Sequence, residues 1–64
     1  MIILTKLNKA TVVLNAEQIK MIESTPDTLI TLINGDHMIV RDSVEEVVAK
    51  AIEYARRIRS LQIV

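Results

Sequence analysis

Apolar and polar residues follow two different patterns along this 64-residue chain. Up to about residue 41, short segments rich in Ile, Val, Leu and Thr are separated by Asn, Asp, Gly and Pro, a pattern typical of strands and turns. From residue 43 onward the apolar residues recur every three or four positions, which is the period of a helix. The pattern therefore predicts strands first and a single helix afterwards.

Two hairpins are predicted in the strand-rich part. Residues 2–7 and 11–14 are β-rich and flank Asn8-Lys9, where Asn tolerates the left-handed backbone of a tight turn. Residues 28–33 and 36–41 flank Asn34-Gly35, and this pair predicts a type I′ turn with positive φ at both residues. The second hairpin carries the strongest local signal in the chain.

The segment between the hairpins is harder to interpret. Asn15-Ala16-Glu17 predicts a capped turn or a single helical turn. Residues 18–23 fit either a helix or a strand, and we favour a strand because only six residues precede the next turn. That turn is Ser24-Thr25-Pro26-Asp27, where Pro26 is expected at the first inner position and the Asp27 side chain as an acceptor for the backbone beyond it.

The predicted helix begins at Ser43. Ser43 and Glu46 have the spacing of a capping box, in which each side chain bonds to the other's backbone N–H. Glu46 with Lys50, and Glu53 with Arg57, are acid–base pairs four residues apart. The predicted apolar stripe covers nearly half of the helix circumference. It is centred on Val44, Val47, Val48, Ala51, Ala55 and Ile58, and is flanked by Ile52, Tyr54 and Leu61.

These elements predict one α+β domain over residues 1–64, with four to five short antiparallel strands in two hairpins followed by one C-terminal α-helix. One helix can cover only one face of the sheet, yet both faces of the predicted strands are apolar. We therefore expect a homo-oligomer that buries the second face; a strongly curled sheet that hides this face is the alternative. The expected oligomer-interface residues are Ile3, Val13, Leu29, Ile33 and Ile39.

Composition excludes several classes of function. The chain has no Cys, one Gly and zero formal net charge, which argues against a disulfide framework, a P-loop and a nucleic-acid-binding surface. We expect no metal and no cofactor, because His37 is the single histidine and nearby Asp36 is a weak partner for it. No catalytic residues are predicted and an enzyme is not expected. The apolar runs are too short to span a membrane and no signal peptide is recognised, so we expect a cytoplasmic protein without membrane insertion.

The one basic cluster is Arg56, Arg57 and Arg59, near the end of the predicted helix. Its simplest role is to complement the helix dipole on a solvated face. Contact with an acidic protein partner is the functional alternative.

The residues resemble the FlbD (SwrD) family of small flagellar proteins over essentially the whole chain. The most specific matches are the runs Glu23-Ser24-Thr25-Pro26-Asp27-Thr28 and Leu4-Thr5-Lys6-Leu7-Asn8. Lys9 stands where relatives usually carry a glycine. The resemblance implies a non-enzymatic cytoplasmic accessory of motility that contacts the flagellar motor, its stator or the basal body, and supports swarming or motor power. We expect the partner-binding residues to be Arg56, Arg57, Arg59, Thr25, Pro26 and Asp27.

Two regulatory readings remain as alternatives. Leu4-Thr5-Lys6 is similar to the start of the CsrA family of dimeric RNA binders, although the later Gly and Arg residues of that family are missing. The Asn34-Gly35 hairpin and following helix are similar to a LytTR-type DNA-binding module, but no basic strand accompanies them. A purely structural, self-assembling domain is the third alternative.

Overall fold

The computed structural model describes the backbone of residues 1–63 and side chains as far as residue 58. It confirms the α+β fold, with five antiparallel strands in two sheets and one C-terminal helix. The elements in chain order are β1 Ile2–Thr5, β2 Thr11–Leu14, a 3-10 turn Ala16–Gln18, β3 Ile19–Ser24, β4 Thr28–Leu32, β5 His37–Val40 and α1 Val44–Ile63.

Strand pairing follows chain order within each sheet. β1 pairs with β2, and the three-stranded sheet has the order β3-β4-β5. Register places Leu4 opposite Val12 and Ile30 opposite Met38, so alternate residues of each hairpin face the same interior. The core that they form with the helix consists of the buried side chains Ile2, Leu4, Leu14, Ile30, Val40 and Val47.

Residues 18–23 contain a strand, as favoured from the sequence, and the reason for their helical spacing is visible. A register shift between Ile19 and Met21 puts an extra residue into β3. This β-bulge allows Ile19 and Ile22, three residues apart, to pack against the same core. Asn15 caps the preceding 3-10 turn by accepting the Glu17 N–H at 3.0 Å, which confirms the predicted capped turn.

Both hairpins close with the same three-residue loop, so the predicted type I′ turn at Asn34-Gly35 is wrong. Gly35 has φ +95°, but Asn34 is not in the positive-φ region, and Gly35 N–H donates to the Leu32 carbonyl. This is the three-residue loop in which a residue of positive φ follows an ordinary turn. The Asn34 side chain still contributes, by accepting the Asp36 N–H at 3.0 Å.

The first hairpin repeats these bonds with different residues. Lys9 N–H donates to the Lys6 carbonyl, and Ala10 N–H donates to the Asn8 side chain. The left-handed residue is Lys9, with φ +72°, and not Asn8 as the sequence suggested. Loop geometry therefore places a lysine where the second hairpin has glycine.

The two sheets meet at a corner between β1 and β5. Lys6 bridges to Val40, and Arg41 N–H donates to the Thr5 carbonyl at 2.7 Å. Asp42 accepts the Thr5 N–H at 2.7 Å through one oxygen and binds the Lys50 ammonium at 3.0 Å through the other. The predicted Glu46–Lys50 pair is therefore replaced by Lys50–Asp42, because Lys50 turns towards β1.

Burial acts to raise the pKa of Asp42, but the hydrogen bonds from Thr5 N–H and Lys50 outweigh it and hold the pKa below its usual range. The carboxylate side chain is only 9% exposed. Charged Asp42 therefore belongs to the folded corner and not to a solvated surface.

The helix begins with the predicted capping box. Ser43 Oγ accepts the Glu46 N–H at 3.1 Å, and the Glu46 carboxylate accepts the Ser43 N–H at 3.0 Å. At the other end the helix continues to Ile63 with no basic residue in its last turn. The arginine cluster therefore lies before that turn, where its effect on the helix dipole is small. Arg56 and Arg57 are exposed, as expected for a solvated face.

We expect Lys9→Gly to raise the free energy of unfolding by about 1 kcal/mol, because a left-handed backbone is costly for any residue with a side chain. The matched change Gly35→Ala should lower it by a similar amount, about 1 kcal/mol. A Cβ at Gly35 would meet nothing within 4 Å, so backbone conformation alone sets that cost. Urea denaturation followed by circular dichroism measures both, and equal stability of the three proteins would contradict the loop assignment.

We expect acid to destabilise the chain through Asp42. Its folded pKa lies below the unfolded value of about 3.9, so its stabilisation is present above that pH and is lost as the pH falls through the folded pKa. Asp42→Asn should lower the free energy of unfolding at neutral pH by about 1–3 kcal/mol and flatten this acid dependence. Urea denaturation at several pH values between neutral and acid tests this prediction, with exposed Asp36→Asn as the control. It would be refuted if the free energy of unfolding of Asp42→Asn and of the wild type depended on pH with the same slope.

Candidate protein-interaction site

The outer face of the β1-β2 sheet is apolar and open. Ile3 and Val13 lie directly opposite each other in the register, and their exposed fractions are 60% and 61%. Both belong to the predicted oligomer interface. Their side chains point away from the core that Ile2, Leu4 and Leu14 form.

The outer face of the other sheet carries the remaining predicted interface residues on two strands and a loop. Ile39 is 44% exposed and lies opposite half-buried Leu29. Ile33 is 60% exposed and lies in the hairpin loop. Met21 adds an exposed apolar side chain to this face through β3. The single chain therefore leaves apolar side chains exposed on the outer faces of both sheets, although the sheets meet at a corner.

The helix has an exposed apolar flank that sequence reasoning assigned to the core. Val47 is buried, and Tyr54 packs partly against the core, but Val48 and Ile52 are 39% and 51% exposed. Ala55 is exposed on the same side. The unusual width of the predicted apolar stripe was the sequence signal for this exposed flank, since only part of so wide a stripe can face the sheets.

Two of the predicted turn residues, Pro26 and Asp27, line an open groove. Thr25, Pro26 and Asp27 are exposed in the loop between the paired residues Ser24 and Thr28, and the Thr25–Pro26 peptide bond is cis. The Asp27 backbone carbonyl accepts the Thr25 N–H at 2.8 Å, in place of the side-chain role expected for this residue. The groove itself is lined by Leu7, Ile22, Ser24, Pro26, Asp27, Thr28, Val40, Arg41, Ser43, Val44 and Glu45.

The arginine cluster lies far from this groove. Arg56 and Arg57 are exposed, and Arg57 forms the predicted pair with Glu53 at 3.2 Å. The Arg59 side chain lies outside the described residues. Glu45 in the groove and Arg57 are twelve positions apart on one helix, about 18 Å at 1.5 Å per residue. The structure thus separates the two predicted partner-binding elements.

Sequence reasoning missed one contact near the middle of the helix. The Tyr54 hydroxyl donates to the Glu17 carboxylate at 2.9 Å and joins the helix to the 3-10 turn. This bond and partial desolvation raise the pKa of Tyr54. The pairing spans 37 positions of the chain, so no local pattern indicates it.

Within the described part of the chain, no group of three or more His, Asp or Glu side chains could hold a metal ion. His37 is exposed, and its Nδ1 lies 3.2 Å from the Thr31 hydroxyl on the neighbouring strand. No described helix is long and apolar enough to cross a membrane.

We expect the Tyr54 phenol to titrate above the usual tyrosine range near pH 10, and Glu17→Gln to return its pKa towards that range. Because Tyr54 is the only aromatic residue, tyrosinate absorbance reports this group without interference. Glu45→Gln, on the exposed helix start, is the control. A titration curve that is the same for the wild type and Glu17→Gln would show that the Tyr54–Glu17 bond does not persist in solution.

A family model described as FlbD, flagellar and swarming motility proteins, matches residues 1–59. No curated protein and no solved structure matches the chain. The family match extends from β1 into the helix and includes every strand, the proline turn and Arg56, Arg57 and Arg59. The chain therefore belongs to the FlbD family of flagellar and swarming motility proteins.

Proposed function

We propose that this chain is a non-enzymatic cytoplasmic accessory of flagellar motility. It acts through protein contacts with the motor, its stator or the basal body, and supports swarming or motor power. Family membership gives the process, and the exposed apolar surface supports a role through protein contacts. The proposal assigns the chain an adhesive role and no chemical step.

The observation that carries this proposal is the exposure of large apolar side chains on three sides of a very small domain. Ile3 and Val13 cover one sheet, Ile39 lies on the other, and Ile52 lies on the helix. Ile3 and Val13 lie directly opposite each other and form one apolar patch, and exposed apolar patches are a feature of protein–protein contact sites. Such surface is costly to keep in water unless a partner covers it.

Two polar elements would orient the partner. The arginine cluster, Arg56, Arg57 and Arg59, belongs to the second half of the helix, and its positive charge fits an acidic protein segment. The turn Thr25, Pro26 and Asp27 is exposed beside the groove. Because about 18 Å separates the groove from Arg57, one partner surface would have to extend along the helix to contact both.

The proposal is tested in a strain that lacks the gene. We expect slower swimming and swarming with a normal number of flagella, because an accessory of the running motor affects torque and not assembly. Fewer flagella would instead indicate a role in assembly of the basal body. Normal swimming and swarming would refute the proposal.

Variants of the same strain test the two contact elements. We expect the double change Arg56→Glu with Arg57→Glu to reduce swarming towards the level of the deletion, and Thr25→Lys with Asp27→Lys to do the same. Lys20→Glu, an exposed charge reversal on β3, is the matched control and should leave swarming unchanged. Full motility of both double variants at normal protein level would exclude these residues as the partner site.

A further inference from the structure

The edges of the two small sheets are protected to different degrees. A free strand edge presents unpaired N–H and C=O groups, and proteins usually cover such edges or guard them with charge, bulges or proline. The two facing edges, of β1 and β5, are covered. Lys50 donates to the Ile3 carbonyl at 2.7 Å, Asp42 accepts the Thr5 N–H, and Lys6 bridges to Val40.

The outer edge of β3 is guarded in a second way. The bulge between Ile19 and Met21 interrupts its regular pairing geometry. Lys20 and Glu23 add exposed charges to the same strand. A flat approach of another strand is therefore disfavoured at this edge.

The outer edge of β2 has none of these protections. Its sequence, Thr11–Leu14, contains no charge and no proline, and its pairing with β1 runs without a register shift. Because Ala10 bonds back to Lys6, the alternation of antiparallel pairing turns the backbone groups of Thr11 and Val13 away from β1. No described residue forms a hydrogen bond with these outward-facing groups.

We propose that the β2 edge pairs with the β2 edge of a second copy of this chain, antiparallel and about a two-fold axis. Thr11 of each copy then lies opposite Val13 of the other copy, and the two residues of each such pair exchange backbone hydrogen bonds. This register forms four backbone hydrogen bonds and places Val12 of both copies on the axis. The result is a four-stranded sheet in which the identical edges are complementary to each other.

The charges at the two ends of β2 support an antiparallel arrangement. Exposed Lys9 lies in the loop before β2, and exposed Lys6 lies next to this loop at the end of β1, whereas exposed Glu17 follows β2. Antiparallel pairing brings the basic loop of each copy towards Glu17 of the other copy. Parallel pairing would bring the two basic loops together, which is unfavourable.

This inference extends the proposed function by naming one contact, the contact of the chain with itself. Its tests use purified protein and measure association and not motility. Normal motility of the deletion strain would therefore refute the motility role without refuting the edge pairing. Absence of association would refute the edge pairing without refuting the motility role.

Cysteine crosslinking tests the register directly, because the chain has no cysteine of its own. Opposed residues that do not share hydrogen bonds have Cα atoms about 4.5 Å apart, within the range that a disulfide spans. We expect Val12→Cys to form a reducible dimer at least about ten times faster than Lys20→Cys, an exposed control on β3 of the other sheet, because pairing raises the local thiol concentration. Equal rates for the two variants would overturn the proposed register.

A proline substitution tests the edge without a new side-chain contact. Val13→Pro removes an N–H that the single chain does not use, so the fold should persist by circular dichroism. We expect sedimentation equilibrium at hundreds of micromolar to give a mass above that of one chain for the wild type and for Val13→Thr, which keeps the N–H. Val13→Pro should give the mass of one chain. A wild type with the mass of one chain, or a folded Val13→Pro that associates as the wild type does, would overturn the proposal.

Discussion

The carboxylate of Asp42 connects the two-stranded sheet, the three-stranded sheet and the helix. One oxygen accepts the Thr5 N–H of β1, and the other binds Lys50 of the helix, while Asp42 itself follows β5. Lys50 in turn donates to the Ile3 carbonyl, so two backbone groups on the outer edge of β1 are satisfied by side chains. Without its bond to Asp42 the partly buried Thr5 N–H would be left unpaired, which is costly. Two sheets of two and three strands can share one core because this corner is closed.

Whether a contact of this fold could be predicted from the sequence depends on how many residues separate its two partners along the chain. The Ser43–Glu46 box and the Glu53–Arg57 pair lie within one helical turn, and their spacing alone indicates them. Lys50 also has an acid four residues before it, and this local rule predicted the wrong partner. Its actual partner, Asp42, comes into reach only when β5 and the helix are both in place. Local rules therefore predicted the helix and its cap, but not the corner.

The same limit applies to turns and to the candidate site. The loop at Asn34-Gly35 was predicted as a turn but with the wrong geometry, because several loop types accept that pair. The apolar stripe of the helix was also visible in the sequence. Which side of it faces the sheets is decided by packing, and so Val48 and Ile52 are exposed although they were predicted in or beside the buried face. The exposed residues Ile3 and Val13 follow from strand alternation, which depends on register and not on tertiary detail.

The exposed apolar side chains of the helix have charged neighbours, whereas that of Val13 lies on an uncharged strand with an open edge. On the helix, Val48 lies one turn after Glu45, and Ile52 lies one turn before Arg56, so a partner there must accept both apolar and charged contacts. On β2 the apolar side chain of Val13 lies on a strand without charge whose backbone groups are also open. Only another strand can satisfy those groups in a regular way, because they repeat at the spacing of an antiparallel ladder. An apolar face tolerates many partners, whereas an open strand edge specifies the backbone geometry of its partner, and for this reason the edge carries a more definite inference than the faces.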